Sequence, residues 1–289
     1  MKNNSKKRGK GKQFKYKSAA AKKYDKAKKT EAEGIIRKKH KKEPQPKPEK
    51  ENREGVRLNK YLANAGICSR READTLISSG VVHIDGKPVM ELGTRVKEGQ
   101  VVQCGGQTIN PEQNKYLLLN KPKDYITTVT DPQGRKTVMD LVAGSCKERI
   151  YPVGRLDRNT SGLLLFTNDG DLAKKLTHPK NEVKKVYEVK TDRPVSKGDL
   201  VQLVKGVELS DGMAKADKVG YVGKGEDRRE IGVELHSGRN RVIRRMFEAL
   251  GYKVIKLDRS VFAGLTKKNL PRGRYRFLNP KEVGFLKMI

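Results

Sequence analysis

A chain of 289 residues with a formal charge of +31 is long enough for one large domain or two unequal ones, which excludes a short peptide-like binder. Self-repulsion on this scale calls for an anionic partner, with nucleic acid phosphate the first choice and an anionic membrane surface the second. The N-terminus is polar and lysine-rich and no run of about 18 apolar residues occurs, so neither a membrane span nor a secretory leader is expected and the protein is placed in the cytoplasm.

Residues 1–54 carry 21 Lys and Arg against 7 Asp and Glu, a net +14 of the total +31, and include the proline-rich patch Pro44-Gln-Pro-Lys-Pro48. With few large apolar residues this segment cannot build a core, so a disordered basic tail is expected, either a solubilising extension or an RNA-binding arm. The remaining +17 lies in the part that folds, which must therefore also meet phosphate. Cys68, Cys104 and Cys146 are odd in number and far apart, and His40, His83, His178 and His236 are scattered. Neither set has the spacing of a disulfide framework or a metal site, so no metal is expected.

From Val56 the texture changes. Leu58, Tyr61, Leu62 and Ala65 recur at helical spacing before Gly66, which predicts a short helix. Ser69-Arg-Arg-Glu72 has the form of a capping box, with Ala73, Leu76 and Ile77 as the apolar stripe of a second helix ending at Gly80. Val81 to Ile84, the turn dipeptide Asp85-Gly86 and Pro88 to Met90 predict a hairpin, with Val101-Val102 closing a small sheet. Arg57-Leu-Asn-Lys-Tyr-Leu62, Ser69-Arg-Arg-Glu-Ala73 and Gly80-Val-Val-His-Ile-Asp-Gly86 resemble the S4-type RNA-binding module, over a domain placed at 55–103. The resemblance implies that Arg57, Lys60, Arg70 and Arg71 meet RNA phosphates. Two arginines in a first helical turn oppose the macrodipole, which phosphate contact would explain; a solvated face pairing with Glu72 or Asp74 is the plain alternative.

After a polar connector containing Gly105-Gly106 and Pro111, a third region over 115–289 alternates strands and helices. Tyr116 to Leu119, Gly162 to Thr167, Val186 to Lys190 and Ile231 to Leu235 read as strands, and Asp169 to Leu176 and Arg241 to Leu250 as helices. The fold class expected is α+β with a mainly antiparallel mixed sheet. Gly154-Arg-Leu-Asp-Arg-Asn-Thr-Ser-Gly-Leu-Leu-Leu-Phe-Thr-Asn-Asp-Gly170 runs from a charged, glycine-flanked loop straight into a buried-looking strand, the kind of junction where function sits. Arg155 and Arg158 flank Asp157 and favour its ionised form if the side chains converge, whereas capping a turn is the plain role open to it.

This stretch resembles the central motif of the pseudouridine synthases, in particular those that modify ribosomal RNA behind an S4 module, and Asp157 matches their catalytic aspartate. Lys121-Pro122 resembles the family's Lys-Pro segment. Lys185-Val-Tyr-Glu-Val189 resembles its Lys-x-Tyr motif, which implies that Tyr187 stacks near the target base; a tyrosine offers both a flat face and a hydroxyl. Gly238-Arg-Asn-Arg-Val-Ile-Arg-Arg-Met-Phe247 resembles a third motif, whose arginine pairs with the aspartate; the matching position is Arg244, with a bidentate pair expected. A helix there would turn Val242, Ile243, Met246 and Phe247 inward and leave Arg241, Arg244 and Arg245 facing elsewhere.

By the same resemblance Arg155 helps displace the target nucleotide, while Arg239 and Arg241 meet phosphate. The implied activity is uridine isomerisation in ribosomal RNA, without a cofactor, by a monomer. Asp157 acts either as a nucleophile on the sugar or as a base towards a ribose proton. Gly162 to Gly170 and Leu176-Thr-His-Pro179 look closer to the B-type enzymes that serve the large subunit, which favours 23S over 16S RNA. A binding-only ribosome-assembly protein is the alternative from another class; a glycosidase, which needs two flanking carboxylates, ranks below both.

Overall fold

The computed structural model describes residues 54–289; apart from Glu54, the tail expected to be disordered lies outside the described residues. The N-terminal elements run β1 (Val56–Arg57), α1 (Leu58–Asn64), α2 (Arg70–Ser78), β2 (Val82–Ile84), β3 (Lys87–Pro88), β4 (Arg95–Val96), β5 (Val102–Cys104) and β6 (Gln107–Ile109). The capping box forms as the sequence predicts: Glu72 N–H donates to Ser69 Oγ at 3.3 Å and Ser69 N–H to the Glu72 carboxylate at 2.7 Å. Asp85 and Gly86 both take positive φ, 51° and 76°, the pairing that lets a two-residue hairpin turn follow the strand twist. Leu58, Leu62, Ala73, Ile77, Val82 and Val102 close a small core beneath the two helices.

Gly105-Gly106 is not connector. Its two positive-φ glycines turn β5 into β6, with Cys104 facing Gln107 in the ladder. Two adjacent glycines read as a flexible joint in sequence, yet they supply the same mirror-image turn as Asp85-Gly86. The true connector, residues 110–115, is fastened at Glu112. Its N–H donates to Asn64 O, and its carboxylate accepts from Arg149 N–H and the Asn168 side chain, at 3.0, 3.1 and 3.4 Å.

Beyond it come β7 (Tyr116–Lys121), β8 (Tyr151–Pro152), β9 (Ser161–Thr167), α3 (Gly170–Thr177), β10 (Lys185–Thr191), α4 (Lys197–Lys205), β11 (Lys218–Tyr221), β12 (Glu230–Leu235), α5 (Val242–Ala249), β13 (Val254–Phe262), β14 (Leu265–Thr266), β15 (Tyr275–Phe277) and α6 (Pro280–Met288). Their strands form a mixed sheet whose main path is β11-β12-β10-β13-β9-β7-β15. Only the β13–β9 pairing is parallel among those described, so the mainly antiparallel expectation holds. The leucine runs of β7 and β9 are buried on both faces: Leu118, Leu163 and Leu165 enter one core, Leu117, Leu119, Leu164 and Phe166 another. Sequence reading did not find α4, β11, β13 or α6.

The parallel contact depends on one glycine. Gly162 sits opposite Arg259 at φ +110°, where a Cβ would fall 2.3 Å from Arg259 O and 2.4 Å from Arg259 N. No other residue fits there.

Candidate active site

The loop between β8 and β9 carries Asp157. Its backbone is held from two sides. Thr127 Oγ1 donates to Leu156 O at 2.8 Å and accepts from Leu156 N–H at 3.2 Å. From beneath, the fully buried Lys121 donates to the carbonyls of Pro122, Asp157, Arg158 and Thr160 at 2.9 to 3.3 Å. Burial pushes the Lys121 ammonium down to about 8, against an opposing pull from Asp157 and Asp124. The Lys-Pro segment thus fixes the loop that presents the carboxylate, a role its position at a strand end did not reveal.

Asp157 Oδ2 lies 3.8 Å from Arg241 Nη1 and 3.9 Å from Arg244 Nε. These are ion-pair separations beyond hydrogen-bond reach, so the expected bidentate pairing with Arg244 is not formed. Nor does Arg244 face away from the core with its neighbours. It is buried, donating to Val254 O at 2.9 Å and Asn159 O at 3.3 Å, and burial lowers its pKa from the ordinary value. Both terminal nitrogens of the guanidinium donate to backbone carbonyls, which apolar periodicity cannot anticipate. Its Nε, on the Asp157 side, has no partner. Arg241 takes the left-handed conformation (φ 46°) just before α5, a strained geometry for a bulky residue at the spot that brings its guanidinium to the carboxylate.

Asp157, Tyr187, Arg155, Arg239 and Arg241 line one cleft of about 480 Å³ together with Arg158, Lys185, Arg259 and Phe262. Asp157 is its single carboxylate among the described residues. Arg239 is also engaged within the protein, donating to the carbonyls of Asp211, Gly212 and Met213. The cleft shares Thr127, Gly154 and Arg155 with a groove of about 1120 Å³ that reaches Arg57 at the end of β1 and the N-terminal helices at Lys60 and Arg70. Arg71 is exposed and lines neither. Lys60 crosses the groove to Asp171 at 2.6 Å. Arg95, Arg149 and Lys174 add charge to its walls and were missed in sequence, where lone basic residues carry no motif. Among the described residues no group of three or more His, Cys, Asp and Glu could hold a metal ion, and no helix is long and apolar enough to cross a membrane.

A solitary carboxylate in a cationic cleft, continuous with a basic groove under two helices, defines an enzyme built to act on a polyanion. Residues 115–249 match the RNA pseudouridylate synthase family and residues 56–102 the S4 domain. The chain is 43% identical over 236 residues to Ribosomal large subunit pseudouridine synthase B of Bacillus subtilis (strain 168), covering 81% of this chain and 96% of that protein. To the protein of the same name from Haemophilus influenzae it is 40% identical, covering 81% of this chain and 68% of the other. A crystal structure of a pseudouridylate synthase superposes with a TM-score of 0.58 at 26% identity, over 80% of this chain and all of that one. The chain belongs to the RNA pseudouridine synthase family, with an S4 domain ahead of the catalytic fold.

Proposed function

We propose that this enzyme converts one uridine of 23S ribosomal RNA to pseudouridine, with Asp157 as the catalytic carboxylate, acting as a monomer in the cytoplasm. The observation that carries the reading is Asp157 as the lone carboxylate of its cleft, beside two guanidiniums and together with Tyr187. The relatives named for the large subunit support 23S over 16S RNA. Residues 55–109 form the RNA-binding domain, ending past the expected 103 because β6 pairs with β5, and 115–289 the catalytic one.

A stacked or paired uridine hides its reacting atoms, so it must first be extruded, at a cost of a few kcal/mol that phosphate contacts offset. Arg57, Lys60 and Arg70 along the groove and Arg155 at its junction with the cleft are placed to make such contacts, with Arg71 on the outer helix face. In the cleft the bond between ribose C1′ and uracil N1 breaks, the base turns, and C5 joins C1′ while a proton moves from C5 to N1. Asp157 starts this by attacking the sugar or by removing a ribose proton, flanked by the guanidiniums of Arg241 and Arg244. Tyr187 offers its ring to the turning base.

The test is pseudouridine mapping of both ribosomal RNAs in cells without this gene, complemented with wild type or Asp157→Asn. Loss of one 23S signal restored by wild type alone is the expected result. A 16S signal reassigns the substrate, and no change in either RNA overturns the reading in favour of a binding-only protein.

A further inference from the structure

The floor of the cleft holds two cations that no mechanism above uses. Tyr187 on β10 lies directly opposite Arg259 on β13, and Lys185, two residues before Tyr187, lies opposite Phe262. Strand alternation alone would send Arg259 and Phe262, three apart, to opposite faces. A register shift between Val186 and Tyr187 absorbs the extra residue, and both side chains line the cleft. The Arg259 guanidinium stacks on the Phe262 ring at 4.6 Å.

Arg259 is 3% exposed. Its Nε donates to Leu163 O at 2.7 Å, but its Nη2 has no hydrogen-bond partner. The half-buried Lys185 ammonium, with three protons to donate, donates to His236 O at 2.6 Å. Among the described residues neither cation has a carboxylate within salt-bridge distance, and burial, then the nearby Arg259, pushes the Lys185 ammonium down to about 8. Two unpaired cations on a buried floor are unfavourable to folding unless something that visits the cleft completes them.

We propose that Arg259 and Lys185 donate hydrogen bonds to the carbonyl oxygens of the target uracil and stabilise the base as it departs. The proposal rests on the assignment of Asp157 and Tyr187 above. When the C1′–N1 bond breaks, its electron pair stays with N1 and the detached base becomes an anion whose charge spreads onto O2 and O4. Two donors lining the cleft beside Tyr187 meet that charge as it develops, without having to reorganise. The cost of an unpaired guanidinium in the resting enzyme is returned at the moment of cleavage. Asp157 then acts on the sugar and the Arg259–Lys185 pair on the base, a division of labour that holds whether the carboxylate serves as nucleophile or base. Once C5 has bonded to C1′ and its proton has moved to N1, the base is neutral again and the pair releases it.

The test uses the full-length protein with in vitro transcribed 23S RNA carrying tritium at uridine C5, whose release reports the new bond. Lys185→Gln and Arg259→Gln should each slow single-turnover release by about 100-fold while RNA affinity changes less than about twofold, and Lys185→Arg should recover most of the rate. A transcript made with 5-fluorouridine, whose base bears negative charge more readily, should shrink the variants' deficit at least about tenfold when rearranged nucleoside is counted by mass spectrometry. A merely structural role predicts the same deficit on both transcripts. Should Arg259→Gln fail to fold, Lys185→Gln decides alone. Variants within about threefold of wild type, or an unchanged deficit on the fluorinated RNA, overturn this inference and leave the assigned activity standing; a wild type inactive on both 23S and 16S transcripts overturns the two together.

Discussion

Lys121→Met replaces the ammonium beneath the catalytic loop by an apolar chain of similar length. Four carbonyl oxygens lie at 2.9 to 3.3 Å from Nζ, from Pro122, Asp157, Arg158 and Thr160. Three ammonium protons, at roughly 1.5–3 kcal/mol for each hydrogen bond to a charged group, give a gross ~4.5–9 kcal/mol. Burial opposes this: depressing the ammonium from 10.5 to about 8 corresponds to about 3.4 kcal/mol. The net loss expected for Lys121→Met is about 3 kcal/mol, or a fall of roughly 6–12 °C in Tm for a protein of this size. Turnover should suffer beyond what stability explains, because a carboxylate displaced by about 1 Å costs on the order of 100-fold in rate. Thermal unfolding followed by circular dichroism, with single-turnover tritium release at 25 °C where the variant stays folded, checks both. A melting point within about 2 °C of wild type and a rate within about twofold would refute the assignment of Lys121 as the anchor of the loop.

The same lysine gives a pH dependence. Its folded-state pKa is depressed to about 8 from 10.5, so the unfolded chain binds more protons between those values and the burial penalty is relieved as pH rises through that window. Wild type should therefore gain stability relative to Lys121→Met from pH 8 to 10.5, as read by urea unfolding; a constant difference would contradict the burial of the charge. Asp157→Asn should retain RNA affinity within a few-fold and release no tritium above background. Gly162→Ala, which sets a methyl 2.3 Å from Arg259 O at φ +110°, should cost more than about 4 kcal/mol and yield little soluble protein. Removing residues 1–54, with their net +14, should flatten the salt dependence of RNA binding by about 0.7–0.9 in logarithmic slope for every phosphate the tail had neutralised, as measured by filter binding; an unchanged slope would separate the tail from RNA.

What sequence revealed was local. Ser69 and Glu72 are three residues apart, Asp85 and Gly86 are adjacent, and the run from Gly154 to Gly170 is unbroken, so turn, cap and loop-to-strand junction could each be read from neighbours. What it missed depends on residues brought together by the sheet. Lys121 reaches the loop that carries Asp157, Gly162 meets Arg259, and Arg259 turns towards the cleft through a register shift that strict alternation hides. Arg244 was assigned to the outward face by apolar periodicity, yet its guanidinium answers two buried carbonyls. The Gly105-Gly106 turn failed for a different reason: the same dipeptide serves a hairpin and a loose linker, and only the partner strand tells them apart.

Glu112 ties the connector to Asn64 on one side and to Arg149 and Asn168 on the other. On the assignments proposed above, the connector would work as a ruler, setting the distance between the RNA held by the N-terminal helices and Asp157. Lengthening the connector by a few residues around Glu112 should then shift which uridine is converted, as pseudouridine mapping would show.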